Sequence, residues 1–153
     1  MNTRLKQQLR TGQLTVGSWV TLANEAIVEV LCDAGYDWIV VDLEHSSLSV
    51  GDAESLIRVA DLKDCGALVR LTGHDPAQIK RVMDAGAHGI IVPMVCHRHE
   101  LEAAHRSMHY PPSGNRGVGL ARAQGYGERF EEYGRWLLES SVLIAQIEHA
   151  DAL

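Results

Sequence analysis

Five short runs of β-branched and apolar residues recur along the chain, each separated from the next by a segment with helical spacing. The runs are TVGSWV (15–20), DWIVVDL (37–43), ALVRL (67–71), GIIVPMV (89–95) and VLIAQIE (142–148). Most are apolar nearly throughout rather than alternating, the pattern of parallel strands covered on both faces. Between the first two runs, Ala26, Ile27, Val30 and Leu31 fall at i, i+1, i+4 and i+5, one face of a helix. Asn24 suits its N-cap and Gly35 its C′ position. Residues 50–62 repeat the pattern with Val50, Leu56, Ile57, Val59 and Ala60. Asp75 followed by Pro76 opens a further helix that closes near Gly86, and 97–108 and 127–139 complete the set. The chain therefore reads βαβαβαβαβ, an α/β protein.

Two architectures suit that order. A doubly wound dinucleotide fold predicts a glycine-rich phosphate turn after the first strand, but the turn here is VTLANEA, with no GxGxxG. A (β/α)8 TIM-type barrel needs eight strands, and five within 153 residues is the pace of its first part. The expected fold is that barrel type, incomplete in this chain: one domain over 1–153 that ends just after strand five. One long irregular stretch, HYPPSGNRGVGLARAQGY (109–126), is more loop than a compact domain carries without a use. Its GNRGVG neither follows a strand nor opens a helix, so we read it as a flexible active-site loop carrying Arg116.

Composition narrows the partners. A formal net charge of -6 argues against nucleic acid or an anionic membrane. No run approaches the ~20 apolar residues that span a bilayer, and no signal peptide is read at the basic first ten residues. Cys32, Cys65 and Cys96 are widely spaced without a CxxC pair, which fits small buried thiols in a reducing cytoplasm.

In parallel α/β folds, ligands meet the carboxyl ends of the strands. Those ends carry Trp19; Asp42, Glu44 and His45; Arg70; Pro93 and Met94; and Gln146 with Glu148. An acid, a histidine, an arginine and a second acid at successive strand ends point to an active site. Each has a structural alternative. Asp42 either caps the next helix or orients His45 and raises its basicity. Arg70, inside LVRLT, either takes an anionic substrate or enolate or forms a structural Arg–Asp pair. Glu148 either bridges the barrel mouth or offers oxygen to a hard divalent cation. His97 and His99 are two apart and point differently on a helix, while His105 and His109 make a weak zinc pair. Lys6, Lys63 and Lys80 all lie away from strand ends, so a Schiff-base mechanism has no lysine and carbonyl chemistry here would be metal-assisted.

DWIVVDLEHSSL, LVRL, GAHGIIVPMV, YPPSGNRGVG with ARA, and QIE occur in the order and spacing of the HpcH/HpaI aldolase family, which the chain resembles from about residue 12 onward. These are class II, metal-dependent pyruvate aldolases, such as 4-hydroxy-2-oxoheptanedioate and 2-dehydro-3-deoxyglucarate aldolases of aromatic and sugar-acid catabolism. The resemblance implies retro-aldol cleavage of a 4-hydroxy-2-oxoacid to pyruvate and an aldehyde, at the carboxyl face of a (β/α)8 barrel. It implies Glu148 as a ligand of Mg²⁺, Mn²⁺ or Co²⁺, and Arg70 as the stabiliser of the enolate oxygen. It implies His45, oriented by Asp42, as the base for the 4-hydroxyl, with Gln146 and Trp19 lining the pocket. Glu44 would hold a metal-bound water, and no nucleotide is implied.

The resemblance also implies homo-oligomeric full-length relatives, usually hexamers. The family's second metal carboxylate, an aspartate in a GPADLS-like motif on the following strand, has no counterpart in these 153 residues. Two other readings stand beside the aldolase: a non-catalytic remnant that binds a partner chain, and a citrate lyase β-like lyase acting on coenzyme A thioesters.

Overall fold

The computed structural model of the protein describes residues 1–2 and 4–152. Its strands are β1 (Gly17–Val20), β2 (Trp38–Asp42), β3 (Gly66–Arg70), β4 (Gly89–Val92) and β5 (Val142–Ala145). Its helices are α1 (Arg4–Arg10), α2 (Glu25–Asp33), α3 (Val50–Leu62), α4 (Pro76–Asp84), α5 (Arg98–Met108) and α6 (Phe130–Ser140), with 3-10 turns at Arg122–Gly127 and Ala150–Ala152. Local chemistry sets the helix starts, those at Asn24 and Asp75 as the sequence predicts. Asn24 accepts from the Ala26 amide at 3.0 Å, Asp75 accepts from that of Ala77 at 2.9 Å, and Ser49 and Asp52 form a capping box. Among the described residues, no helix is long and apolar enough to cross a membrane.

All the strand pairs are parallel, and the sheet runs β1-β2-β3-β4-β5 in simple sequence order. A doubly wound sheet would reverse its order at a switch point. Sequential order with helices on one face is that of a (β/α)8 barrel, of which the described residues form five strands. The two faces of the sheet separate cleanly by residue parity. Ile39, Val41, Ala67, Val69, Ile90 and Val92 pack outward under the helices in the main core, while Val40, Leu68, Ile91 and Val142 pack inward. Leu5 of α1 joins that inner cluster and plugs the amino-terminal end of the barrel interior. The sequence reading treats residues 1–10 only as a basic segment, because seven helical residues are too few to show a period.

The stretch 109–126 is not an active-site loop. It follows α5, which runs antiparallel to the strands, so it begins at their amino-terminal end, where Arg122 later bonds the Ala85 carbonyl and Asp61. Arg116 is buried at that end. It donates to the Met108 carbonyl at 2.7 Å and to the hydroxyls of Tyr110 and Tyr133 at 2.8 and 3.0 Å, with Asp84 Oδ1 at 3.3 Å. Its guanidinium also lies over the Tyr110 ring at 4.4 Å. A charge this deeply buried is tolerated only with its partners in place, so Arg116→Ala should lower unfolding stability by about 3 kcal/mol in chemical denaturation. Because Arg116 lies at the end remote from the strand carboxyl ends, ligand affinity at those ends should not change in the folded fraction.

Candidate active site

Parallel register places Asp42, the last residue of β2, directly beside Arg70, the last residue of β3. Both share parity with the inward residues Val40 and Leu68, so the two side chains meet at the carboxyl mouth of the barrel. The pair is bidentate: Arg70 Nε donates to Asp42 Oδ1 at 2.9 Å and Nη2 to Oδ2 at 2.5 Å. Oδ1 accepts also from the backbone N–H of Glu44 and His45, at 3.0 and 3.2 Å. Burial alone would push the Asp42 carboxyl up, but the Arg70 fork and the two amides together hold it below the usual carboxylate range. Arg70 Nη1 faces Glu44 Oε2 at 3.3 Å, and the Trp19 ring lies under its guanidinium at 4.5 Å.

One expected contact is corrected by these bonds. Asp42 grips the His45 backbone and not its imidazole: its bonds go to Arg70 and the two amides. The Arg–Asp pair weighed as a structural alternative is present. It leaves Arg70 with unspent donors, since guanidinium carries five N–H groups. The His45 ring stands in the open mouth, 72% exposed, with Nε2 at 3.9 Å from Glu44 Oε2.

On the far side of the mouth, β5 ends at Ala145, three residues short of Glu148. Ladder bonds continue past it, however: the Gln146 amide donates to Val92 at 2.9 Å and the Val95 amide to Gln146 at 3.2 Å. The ladder steps over Pro93 and Met94. Pro93 has no N–H to give, and Met94 adopts a left-handed backbone with φ of +52°. The freed Met94 N–H donates to Glu148 Oε2 at 3.0 Å, and Gln146 Nε2 donates to Oε1 at 2.6 Å. The Met94 amide first, then Gln146 and the positive field of Arg70, hold the Glu148 carboxyl below its ordinary range. Trp19, Asp42, Glu44, His45, Arg70, Gln146 and Glu148 thus all come to one mouth from β1, β2, β3 and β5.

The donor set suits a hard cation. Among the described residues, no three His, Cys, Asp or Glu side chains converge to hold a metal unaided. Mg²⁺-like ions, however, commonly take one or two carboxylates and fill the rest of their shell with water and substrate oxygens. Glu148 offers a fixed, ionised carboxylate, and Glu44 Oε2 is a buried oxygen with no hydrogen-bond partner among the described residues. Both lie in the field of Arg70. No lysine is close: Lys6 is on α1, Lys80 on α4, and Lys63 pairs with Asp33 at 2.9 Å. A residue absent from the sequence reading also reaches this region. His74, four positions past Arg70, sets Nε2 2.8 Å from the Pro93 carbonyl oxygen. Extending the search of strand ends by one turn of loop would have found it.

The sequence profile of the HpcH/HpaI aldolase/citrate lyase family matches residues 15–153. The 4-hydroxy-2-oxovalerate aldolase of Novosphingobium aromaticivorans is 38% identical over 152 residues, which cover 97% of this chain and 56% of that protein. The hydroxypyruvate/pyruvate aldolase of Sagittula stellata is 37% identical over 151 residues, covering 98% of this chain and 59% of its own. A solved HpcH/HpaI aldolase/citrate lyase family protein from Burkholderia cenocepacia superposes with a TM-score of 0.89 at 30% identity, over 99% of this chain and 62% of that one. The chain spans less than two thirds of the length of these relatives. Family match and strand order agree, and the chain belongs to the HpcH/HpaI aldolase/citrate lyase family.

Proposed function

We propose that the protein takes part in metal-dependent retro-aldol cleavage of a 4-hydroxy-2-oxoacid to pyruvate and an aldehyde. The observation that carries this reading is Arg70, held by Asp42 and Trp19 at the same mouth as His45 and Glu148. Cleavage removes the proton from the 4-hydroxyl, forms the aldehyde C=O, breaks the C3–C4 bond and leaves the electron pair as the enolate of pyruvate. The exposed imidazole of His45 would take the hydroxyl proton. Arg70 sets its remaining N–H donors where enolate charge develops, and needs no reorganisation because Asp42 already fixes its plane. A later proton delivered to C3 yields pyruvate. Trp19 and Gln146, at the same mouth, would line the substrate.

A divalent cation, Mg²⁺, Mn²⁺ or Co²⁺, bound by Glu148 with Glu44 holding a coordinated water, would add positive charge at the carboxylate and keto oxygens. The partner is thus a small 2-oxoacid, and the reducing cytoplasm is the compartment that suits the unpaired thiols Cys32, Cys65 and Cys96.

Pyruvate release from 4-hydroxy-2-oxoacids, coupled to lactate dehydrogenase, tests the proposal. Wild-type protein should release pyruvate and stop on addition of a chelator. His45→Ala should lower kcat by about 10²–10⁴-fold, the range for loss of a general base. Release that ignores the chelator, or that survives His45→Ala unchanged, would refute it.

A further inference from the structure

We infer that His74 is a positioning residue for Glu148, acting through the Pro93–Met94 peptide group. The Pro93 carbonyl and the Met94 N–H belong to one peptide, and neither serves the β4–β5 ladder. The carbonyl is held by His74 Nε2 at 2.8 Å and the N–H by Glu148 Oε2 at 3.0 Å. Since a carbonyl only accepts, Nε2 carries the proton and His74 is the donor. Drawing electron density toward the carbonyl oxygen makes the N–H at the other end a stronger donor, so the two bonds reinforce each other.

His74 is itself fixed. Its Nδ1 lies 3.5 Å from Glu100 Oε1, and Glu100 Oε2 accepts from the amides of Cys96 and His97, both at 2.8 Å. The contacts therefore run from the first turn of α5, through the loop after β3, to the β4 peptide and on to the carboxylate beyond β5. Met94 explains why the relay is needed. A long side chain at φ of +52° is an outlier that persists only where its surroundings over-determine it. The Met94 side chain is 48% exposed, so packing does not impose that backbone. Hydrogen bonds at both ends of the preceding peptide do. What Glu148 finally ligates rests on the proposed metal-dependent function; the relay to its carboxylate does not.

The test is the Met94 amide resonance of ¹⁵N-labelled protein, read beside Mn²⁺ affinity from the free-ion electron paramagnetic resonance signal. His74→Leu should move the Met94 amide proton upfield and weaken Mn²⁺ binding about tenfold, the lower end for losing an outer partner of a metal ligand. His74→Asn keeps an N–H donor and should restore both readouts toward wild type. Should His74→Leu fail to fold, His74→Ala carries the same comparison. A Met94 amide and Mn²⁺ affinity unmoved by His74→Leu would overturn the relay, and so would equal losses in the Leu and Asn variants. Wild-type protein that binds no Mn²⁺ would instead overturn the metal reading of Glu148, and the amide shift would still decide the relay.

Discussion

Arg70→Lys is expected to lower kcat for pyruvate release by about 10²–10³-fold, the scale for removing one preorganised donor from a developing oxyanion. Charge is conserved in this variant, so the loss reads geometry. An ammonium cannot make the two-point contact with Asp42, cannot lie flat on Trp19, and so has no fixed plane from which to meet the enolate. KM should move less than kcat, because the missing contact matters most when charge has formed. Arg70→Ala goes further, leaving the carboxylate of Asp42, 2% exposed, without its counter-ion. Breaking such a pair costs about 3 kcal/mol in stability.

The pH dependence of that cost has a definite sign. Asp42 is depressed in the folded protein, so its contribution is complete above its unfolded value near pH 4 and is lost as pH falls through the lower folded value. The gap in melting temperature between wild type and Arg70→Ala should therefore narrow on acidification below about pH 4. A constant gap across that window would mean that the pair is not what Arg70 contributes.

The strand positions were legible because burial on both faces leaves nearly continuous apolar runs, which nothing else in this chain imitates. The meeting of strand-end side chains at one mouth was legible for a related reason. Period two carries the inward side of each strand to its end, so Trp19, Asp42, Arg70, Gln146 and Glu148 share parity with the buried inner residues. What the chain order hides is partnership. Asp42 and His45 are three apart, which suggests that they pair. Parallel register instead sets Asp42 against Arg70, 28 residues on. His74 and Pro93 are 19 apart, and only the fold joins them. The end of the barrel at which 109–126 lies depends on the direction of α5, which glycine and proline content does not encode. Leu5 was invisible for a different reason: its role as a plug exists only once the strands have enclosed the space it fills.

Glu148→Gln should be the most damaging conservative change at the mouth. The amide keeps the size of the carboxylate and can still accept from the Met94 N–H through its oxygen. Its nitrogen, however, then faces Gln146 Nε2, where Oε1 now accepts at 2.6 Å, so Gln146 must turn its amide over to keep a bond. The variant also removes a carboxylate charge that acts on Arg70. Metal-dependent pyruvate release should fall by about a thousandfold or more at a fixed Mn²⁺ concentration, close to 4 kcal/mol in the barrier. Added Mn²⁺ separates this effect from Arg70→Lys. Glu148→Asp keeps the charge but withdraws it by one methylene from the Met94 amide, so it should recover activity as Mn²⁺ rises. Arg70→Lys should not respond, because its defect is not one of occupancy. If Glu148→Gln kept both its Mn²⁺ affinity and its pyruvate release, the carboxylate would be no more than a cap for the N–H that Pro93 and Met94 leave outside the ladder.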